Sequence, residues 1–180
     1  MSKILVVSCS WTGTCTQVAK LLCAQQTGWQ SAEIRLEHPR SGRVGYWRCV
    51  LDSVLRRKPA IRYEGPFPKD FDAVVFVSPI WAFSLASPMR SFVTTQRDHL
   101  PDVAVVSVMG GAGASNAVRE VERIVGRPSV LDAAFTMQDV EDGRAAIGLR
   151  DFGDALRKLE DAWHAGGAGM APYAAQGAHS

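Results

Sequence analysis

The sequence predicts an α/β fold with an open, doubly wound parallel sheet and helices on both faces. Three observations lead there. Short apolar or β-branched runs alternate with segments of helical period five times in about 165 residues. The third run, Ala73 to Val77, is apolar at every position, as expected of a strand inside a parallel sheet covered on both sides. A closed eight-stranded barrel needs about 250 residues, and this chain has 180, enough for one core and an open sheet with right-handed crossovers.

The elements follow in order. Ile4-Leu5-Val6-Val7 is a β-branched strand, and Ser8 to Thr14 is a polar loop around Gly13. From about Cys15, apolar residues at Val18, Ala19, Leu22 and Cys23 mark a helix that ends near Thr27-Gly28. Ala32, Ile34 and Leu36 alternate as a second strand. Val44, Trp47, Val50, Leu51, Val54 and Leu55 recur at helical spacing up to Arg56-Arg57-Lys58-Pro59, which puts Trp47 in the core. After Gly65-Pro66-Phe67-Pro68 comes the central strand Ala73 to Val77, then a loop over Ser78 to Phe83 and a helix with Pro88 in its first turn and Met89, Phe92 and Val93 inside. Val103 to Val108 is the fourth strand, Gly110 to Gly113 its loop, and Val118, Val121, Ile124 and Val125 a helix ending at Gly126. Ser129 to Thr136 is the fifth strand, and Phe152, Leu156, Leu159 and Trp163 mark the last helix. From Ala165 onward the chain is mostly Gly and Ala without a periodic face, and is expected to be a disordered tail.

Composition narrows the function. The chain is 47% hydrophobic and 21% charged, with a mean hydropathy of -0.02, values of a folded globular domain. Its longest apolar run is five residues, too short for a membrane span, and no secretory leader is visible, so a cytoplasmic location is expected. The net charge of +2 lacks the basic excess of a nucleic-acid binder. Cys9, Cys15, Cys23 and Cys49 form no C-x-x-C pair, and the four histidines are scattered, so free thiols and no protein-built metal site are expected.

In a doubly wound sheet, ligands bind beyond the carboxyl ends of the strands. The first loop holds Ser8, Ser10, Thr12, Thr14 and Thr16 around Gly13 and opens a helix, the pattern that grips a phosphate through unpaired N–H groups and hydroxyls. It has no Lys or Arg, and Gly13-Thr14-Cys15 replaces the Gly-Lys-Ser/Thr of a triphosphate loop. A Thr that simply caps the helix gives the same pattern. Trp81 and Phe83, directly after the interior strand, either stack on a flat ligand ring or pack under their own helix. Gly110, Gly111 and Gly113 permit close backbone approach in the loop after the fourth strand.

Together, strand-Ser10-x-Thr12-Gly13, Ser78-Pro79-Ile80-Trp81-Ala82 and the Gly-rich fourth-strand loop resemble the flavodoxin-like FMN-binding proteins over roughly residues 3–163. The resemblance implies strand order 2-1-3-4-5, with residues 1–164 as the FMN-binding domain and 165–180 as the tail. It implies phosphate contacts from Ser10, Trp11, Thr12, Gly13, Thr14 and Cys15. Pro79, Ile80, Trp81, Ala82 and Phe83 then flank the isoalloxazine ring, with Gly110, Gly111 and Gly113 on its far side. Cys15 stands where the family's last phosphate-loop hydroxyl usually falls, and a thiol is a poor donor.

The chain is mildly basic, whereas small electron-carrier flavodoxins tend to be acidic. The resemblance thus implies an FMN-dependent NAD(P)H oxidoreductase reducing quinones or similar acceptors, with no catalytic side chain of its own and a homodimer as one option. Two alternatives stand beside it. One is a one-electron flavodoxin serving a redox protein. The other is a module without flavin that binds a partner through the basic, aromatic stretch Arg40, Arg43, Tyr46, Trp47, Arg48, Arg56, Arg57 and Lys58.

Overall fold

The computed structural model describes residues 3–38 and 42–166. The parallel strands are β1 (Ile4–Cys9), β2 (Gln30–Leu36), β4 (Ala73–Trp81), β6 (Asp102–Met109) and β7 (Leu131–Thr136). They pair β2-β1-β4-β6-β7, the expected order, all parallel, with the order of winding reversing between β1 and β4. The sheet is not wholly parallel, however. A three-residue strand, β3 (Ile61–Tyr63), adds antiparallel to β2 at one edge, and β5 (Ser84–Leu85) folds back antiparallel on the end of β4. Both are too short to show a period in sequence.

Strand alternation feeds two cores, one on each face of the sheet. Leu5, Val7, Val74, Phe76, Val103 and Val105 face a layer made by α2 (Gly42–Val54), α3 (Ser87–Gln96) and α4 (Ala114–Val125). Ile4, Val6, Val75, Val77, Ala104 and Val106 face α1 (Thr14–Gln25), α5 (Met137–Glu141) and α6 (Ala145–Gly166). Pro88 occupies the start of α3, and Gly126 closes α4 in the left-handed region at φ 82°, its N–H bonded to the Glu122 carbonyl.

Three expectations change. The expected loop over Ser78 to Phe83 is strand as far as Trp81, because Ser78 and Pro79 continue the register with Ser107 and Val108 of β6. The last helix runs on through Ala165 and Gly166; the remainder of the expected tail lies outside the described residues. The third concerns α2, which turns Gly45, Cys49, Asp52 and Ser53 inward and leaves Trp47 64% exposed rather than in the core. Small and polar groups suffice there because α2 docks by hydrogen bonds. Ser53 Oγ donates to the Cys49 carbonyl and accepts the Ser87 N–H, at 2.9 and 3.0 Å.

A buried arginine completes that docking. Arg90, 1% exposed on α3, forms a two-point ion pair with Glu120 of α4, with Nε–Oε1 at 2.6 Å and Nη2–Oε2 at 3.2 Å. Its remaining N–H groups donate to the carbonyls of Asp52 and Ser53 at the end of α2, of Arg57 beyond it, and of Leu85 in β5. One side chain thus ties together α2, α3, α4 and the hairpin that follows Trp81.

Candidate functional site

The strand order reverses between β1 and β4, and beyond their carboxyl ends lies a cleft of about 700 Å³, within the usual range for a small-molecule site. The first loop, Ser10 to Gly13, and Trp81 both line it. Glu33 to Leu36 of β2, Cys49 of α2 and Pro88 form the remainder. The cavity is therefore lined by Ser10 to Gly13 of the first expected loop and, of the second, by Trp81 but not by Pro79, Ile80, Ala82 or Phe83.

The first loop has several features that suit an anion. Gly13 sits at φ 93°, a left-handed conformation that glycine adopts without strain, and it starts α1 with no side-chain cap. The amides of the first turn therefore lack the capping oxygen that usually takes them. The Gly13 N–H itself is spent on Ser10 Oγ at 2.9 Å, which pins the loop and leaves the Ser10 hydroxyl proton to donate elsewhere. Thr12 and Thr14 hydroxyls lie 3.1 Å apart, with Thr12 exposed and Thr14 buried. Thr16 instead donates to Glu33 at 3.3 Å, closing the side of the loop.

Cys15 does not serve as a substitute hydroxyl. Its side chain is 2% exposed and packs in the core with Val18, Ala19 and Leu22, so only its backbone stands at the loop. Burial holds its thiol well above the usual range. Burial likewise pushes Cys9 up to about 12, despite an opposing contact with Ser78 Oγ at 3.9 Å. Neither supplies a thiolate near neutral pH.

Trp81 belongs to both the core and the cleft: it is 8% exposed, packs with the first core layer and still lines the cavity. Tyr46 holds it from the α2 side. The Tyr46 ring lies edge-on between Trp11 and Trp81, at 6.2 and 6.3 Å between centroids. Sequence reasoning marked Tyr46 only as part of a basic surface; an aromatic three residues from an inward Cys49 was its one signal. Glu33, Arg35, Cys49 and Pro88 were missed as walls, since nothing in their spacing separates a cleft from a core.

Beyond Trp81 the chain makes a two-residue hairpin turn in which both Ala82, at φ 47°, and Phe83, at φ 61°, are left-handed. Such turns favour Asn-Gly, so a non-glycine pair here is strained by about 1–2 kcal/mol per residue. The tip rests on the third loop. A Cβ on Gly113, which lies at φ 109°, would meet the Phe83 Cα at 2.7 Å, and Asn116 Nδ2 donates to the Phe83 carbonyl at 3.3 Å. Phe83 itself is 62% exposed. Gly113 thus adjoins the hairpin through Phe83 and Ile80, whereas a Cβ on Gly110 or Gly111 would meet open space, and none of the three lines the cleft that Trp81 lines.

Comparison with solved structures places this architecture. A Lactobacillus acidophilus flavoprotein solved in complex with FMN superposes with a TM-score of 0.66 at 18% identity, over 79% of this chain and 98% of that one. The chain has the flavodoxin-like fold. Flavodoxins from Megasphaera elsdenii and Bacillus cereus superpose at TM-scores of 0.51 each, with 17% and 16% identity, over 86% and 87% of this chain and 98% of each of theirs. No family model and no curated protein matches the sequence. Within the flavodoxin-like fold, the cleft occupies the switch point where such sheets bind their ligands.

Proposed function

We propose that the protein is an FMN-binding flavoprotein acting as an NAD(P)H-dependent oxidoreductase on quinone-type acceptors. The observation that carries this is a single cleft joining the uncapped, hydroxyl-rich start of α1 to the Trp81 indole. The residues fit the group: a phosphate dianion suits unpaired amides with the positive end of a helix behind them, and a flat tricycle suits an indole wall.

In this reading Ser10, Trp11, Thr12, Gly13, Thr14 and the Cys15 amide hold the phosphate. Pro79, Ile80, Trp81, Ala82 and Phe83 flank the ring, with Gly110, Gly111 and Gly113 beyond the hairpin. The absence of Lys and Arg from Ser8 to Thr16 leaves the first loop to hold the anion by amides and hydroxyls, while Arg35 on the cleft wall is paired with Glu33. Bound FMN would supply the redox chemistry, taking a hydride from the nicotinamide and passing electrons to the acceptor. The protein's own part is positional: Tyr46 and Arg90 fix the indole and the hairpin behind it, and the cleft keeps the ring partly shielded from water.

The absorbance spectrum of the purified protein tests the binding claim. Flavin bands at about 370 and 450 nm are expected, natively or after adding FMN. A protein that stays colourless and takes up no added flavin overturns it and favours a module acting through a partner. Steady-state oxidation of NADH and NADPH with a quinone acceptor tests the reaction. Turnover with one or both is expected, and none with either makes the protein a carrier for a redox partner instead.

A further inference from the structure

The outward face of α2 is reversed from that of an ordinary surface helix. Val44, Trp47, Leu51 and Val54 of α2, with Leu55 just beyond its end, are between 49% and 75% exposed, while Gly45, Cys49, Asp52 and Ser53 are buried against the body. At 100° per residue the five apolar side chains fall within one arc of about 100°, directed away from the sheet. Arg43 borders that arc on one side and Arg48 on the other, both exposed, and Arg56 and Lys58 extend the positive charge past the C-terminal end. Between residues 42 and 58 the one acid is Asp52, which is buried and pairs with Arg57 at 3.2 Å. Among the described residues, no helix is long and apolar enough to cross a membrane.

We propose that α2 docks the protein on an anionic lipid bilayer surface, with the apolar arc entering the headgroup boundary and the flanking arginines meeting lipid phosphates. The arc is a convex ridge with positive charge on both flanks, so its complement is apolar within and negative along both rims. A bilayer interface has that form at every angle of approach. Trp47 in the middle of the ridge suits the same boundary, and arginines keep their heads among phosphates while their stems cover apolar surface. A second copy is disfavoured by charge, since face-to-face ridges would set arginine against arginine. The ridge lies beside the cleft, because Tyr46 of the same helix contacts Trp11 and Trp81. Docking through α2 therefore sets the cleft mouth near the lipid surface. The proposal does not depend on flavin.

Cosedimentation of the full chain with vesicles tests it. Binding is expected to equimolar phosphatidylcholine and phosphatidylglycerol, weakened by salt, with little to phosphatidylcholine alone. The double variants Trp47→Ser with Leu51→Ser, and Arg43→Glu with Arg48→Glu, alter exposed positions and should keep the wild-type circular dichroism. Each should lose about tenfold or more in binding. Reversal of the exposed Arg150 on α6, in the opposite layer, should leave it unchanged. Failure to bind the mixed vesicles, or binding that neither double variant weakens, overturns the proposal. So do two specific rivals: a wild-type dimer by light scattering that Trp47→Ser with Leu51→Ser splits, without vesicle binding, or retention on immobilised poly-glutamate with none on vesicles, which would assign the ridge to an acidic protein.

Discussion

A ring that is almost fully covered can still line a cleft, and Trp81 is such a ring. Its indole is clamped by Tyr46 and faces the cleft, whereas Phe83 projects from a hairpin tip that faces the third loop. The proposed ring stacking is therefore assigned to Trp81. Trp81→Ala should weaken FMN binding by about tenfold, counting the stacking and the apolar contact together, and Phe83→Ala by less; flavin fluorescence quenching separates them. Equal losses, or none, would remove Trp81 from the site. The type of residue at these positions was legible in the sequence, but its direction was not. A helical period identifies a stripe without saying which side it faces, so Trp47 read as core and emerged on the surface. Cys15 read as a phosphate contact, yet its place beside Val18 and Ala19 turns the thiol inward.

At the scale of elements, Arg90 has more consequence than any other single side chain. Met89, Phe92 and Val93 were legible as the inner stripe of α3, but a buried arginine between them carries no apolar signal. Only the fold brings Glu120 and the end of α2 to meet it. Arg90→Ala leaves the buried Glu120 with only the exposed Arg123, at 3.9 Å, and frees several carbonyls, at a cost of about 3 kcal/mol. Urea unfolding should show that loss, and Arg90→Lys should recover little of it, since a point charge cannot replace the fork. A loss under about 1 kcal/mol would mean that the network is solvated and does not hold α2. The five parallel strands were legible because each has three or more consecutive or alternating apolar residues. β3, β5 and α5 escaped notice because two to five residues make no period, and the hairpin at Ala82-Phe83 lacks the Asn-Gly that announces such a turn.

Over the whole molecule, the two ends of the sheet carry different electrostatics. The cleft at the carboxyl ends has no cation in its first loop, while at the amino ends Glu160 of α6 is buried near Asp72 and Asp102. Burial first, then those carboxylates, push Glu160 up to about 7, and its Oε1 has no hydrogen-bond partner. Below its ordinary value of 4.5 both folded and unfolded states hold the proton and nothing is lost. As pH rises from there to about 7 the unfolded state releases the proton first, so stability falls, and above 7 the full penalty, on the order of 3 kcal/mol, remains. Glu160→Gln should therefore raise the melting temperature at pH 8 and leave it nearly unchanged at pH 4; an equal shift at both would assign the effect to packing.

The charge-free cradle at the other end makes the most direct claim on function. Titration of the purified protein with FMN and with riboflavin, which differ only in the phosphate, reads that claim through quenching of flavin fluorescence. FMN is predicted to bind about a hundredfold more tightly, because the proposed phosphate contacts at the start of α1 would be lost with riboflavin. Equal affinity for the two flavins, or no quenching by either, would contradict the account.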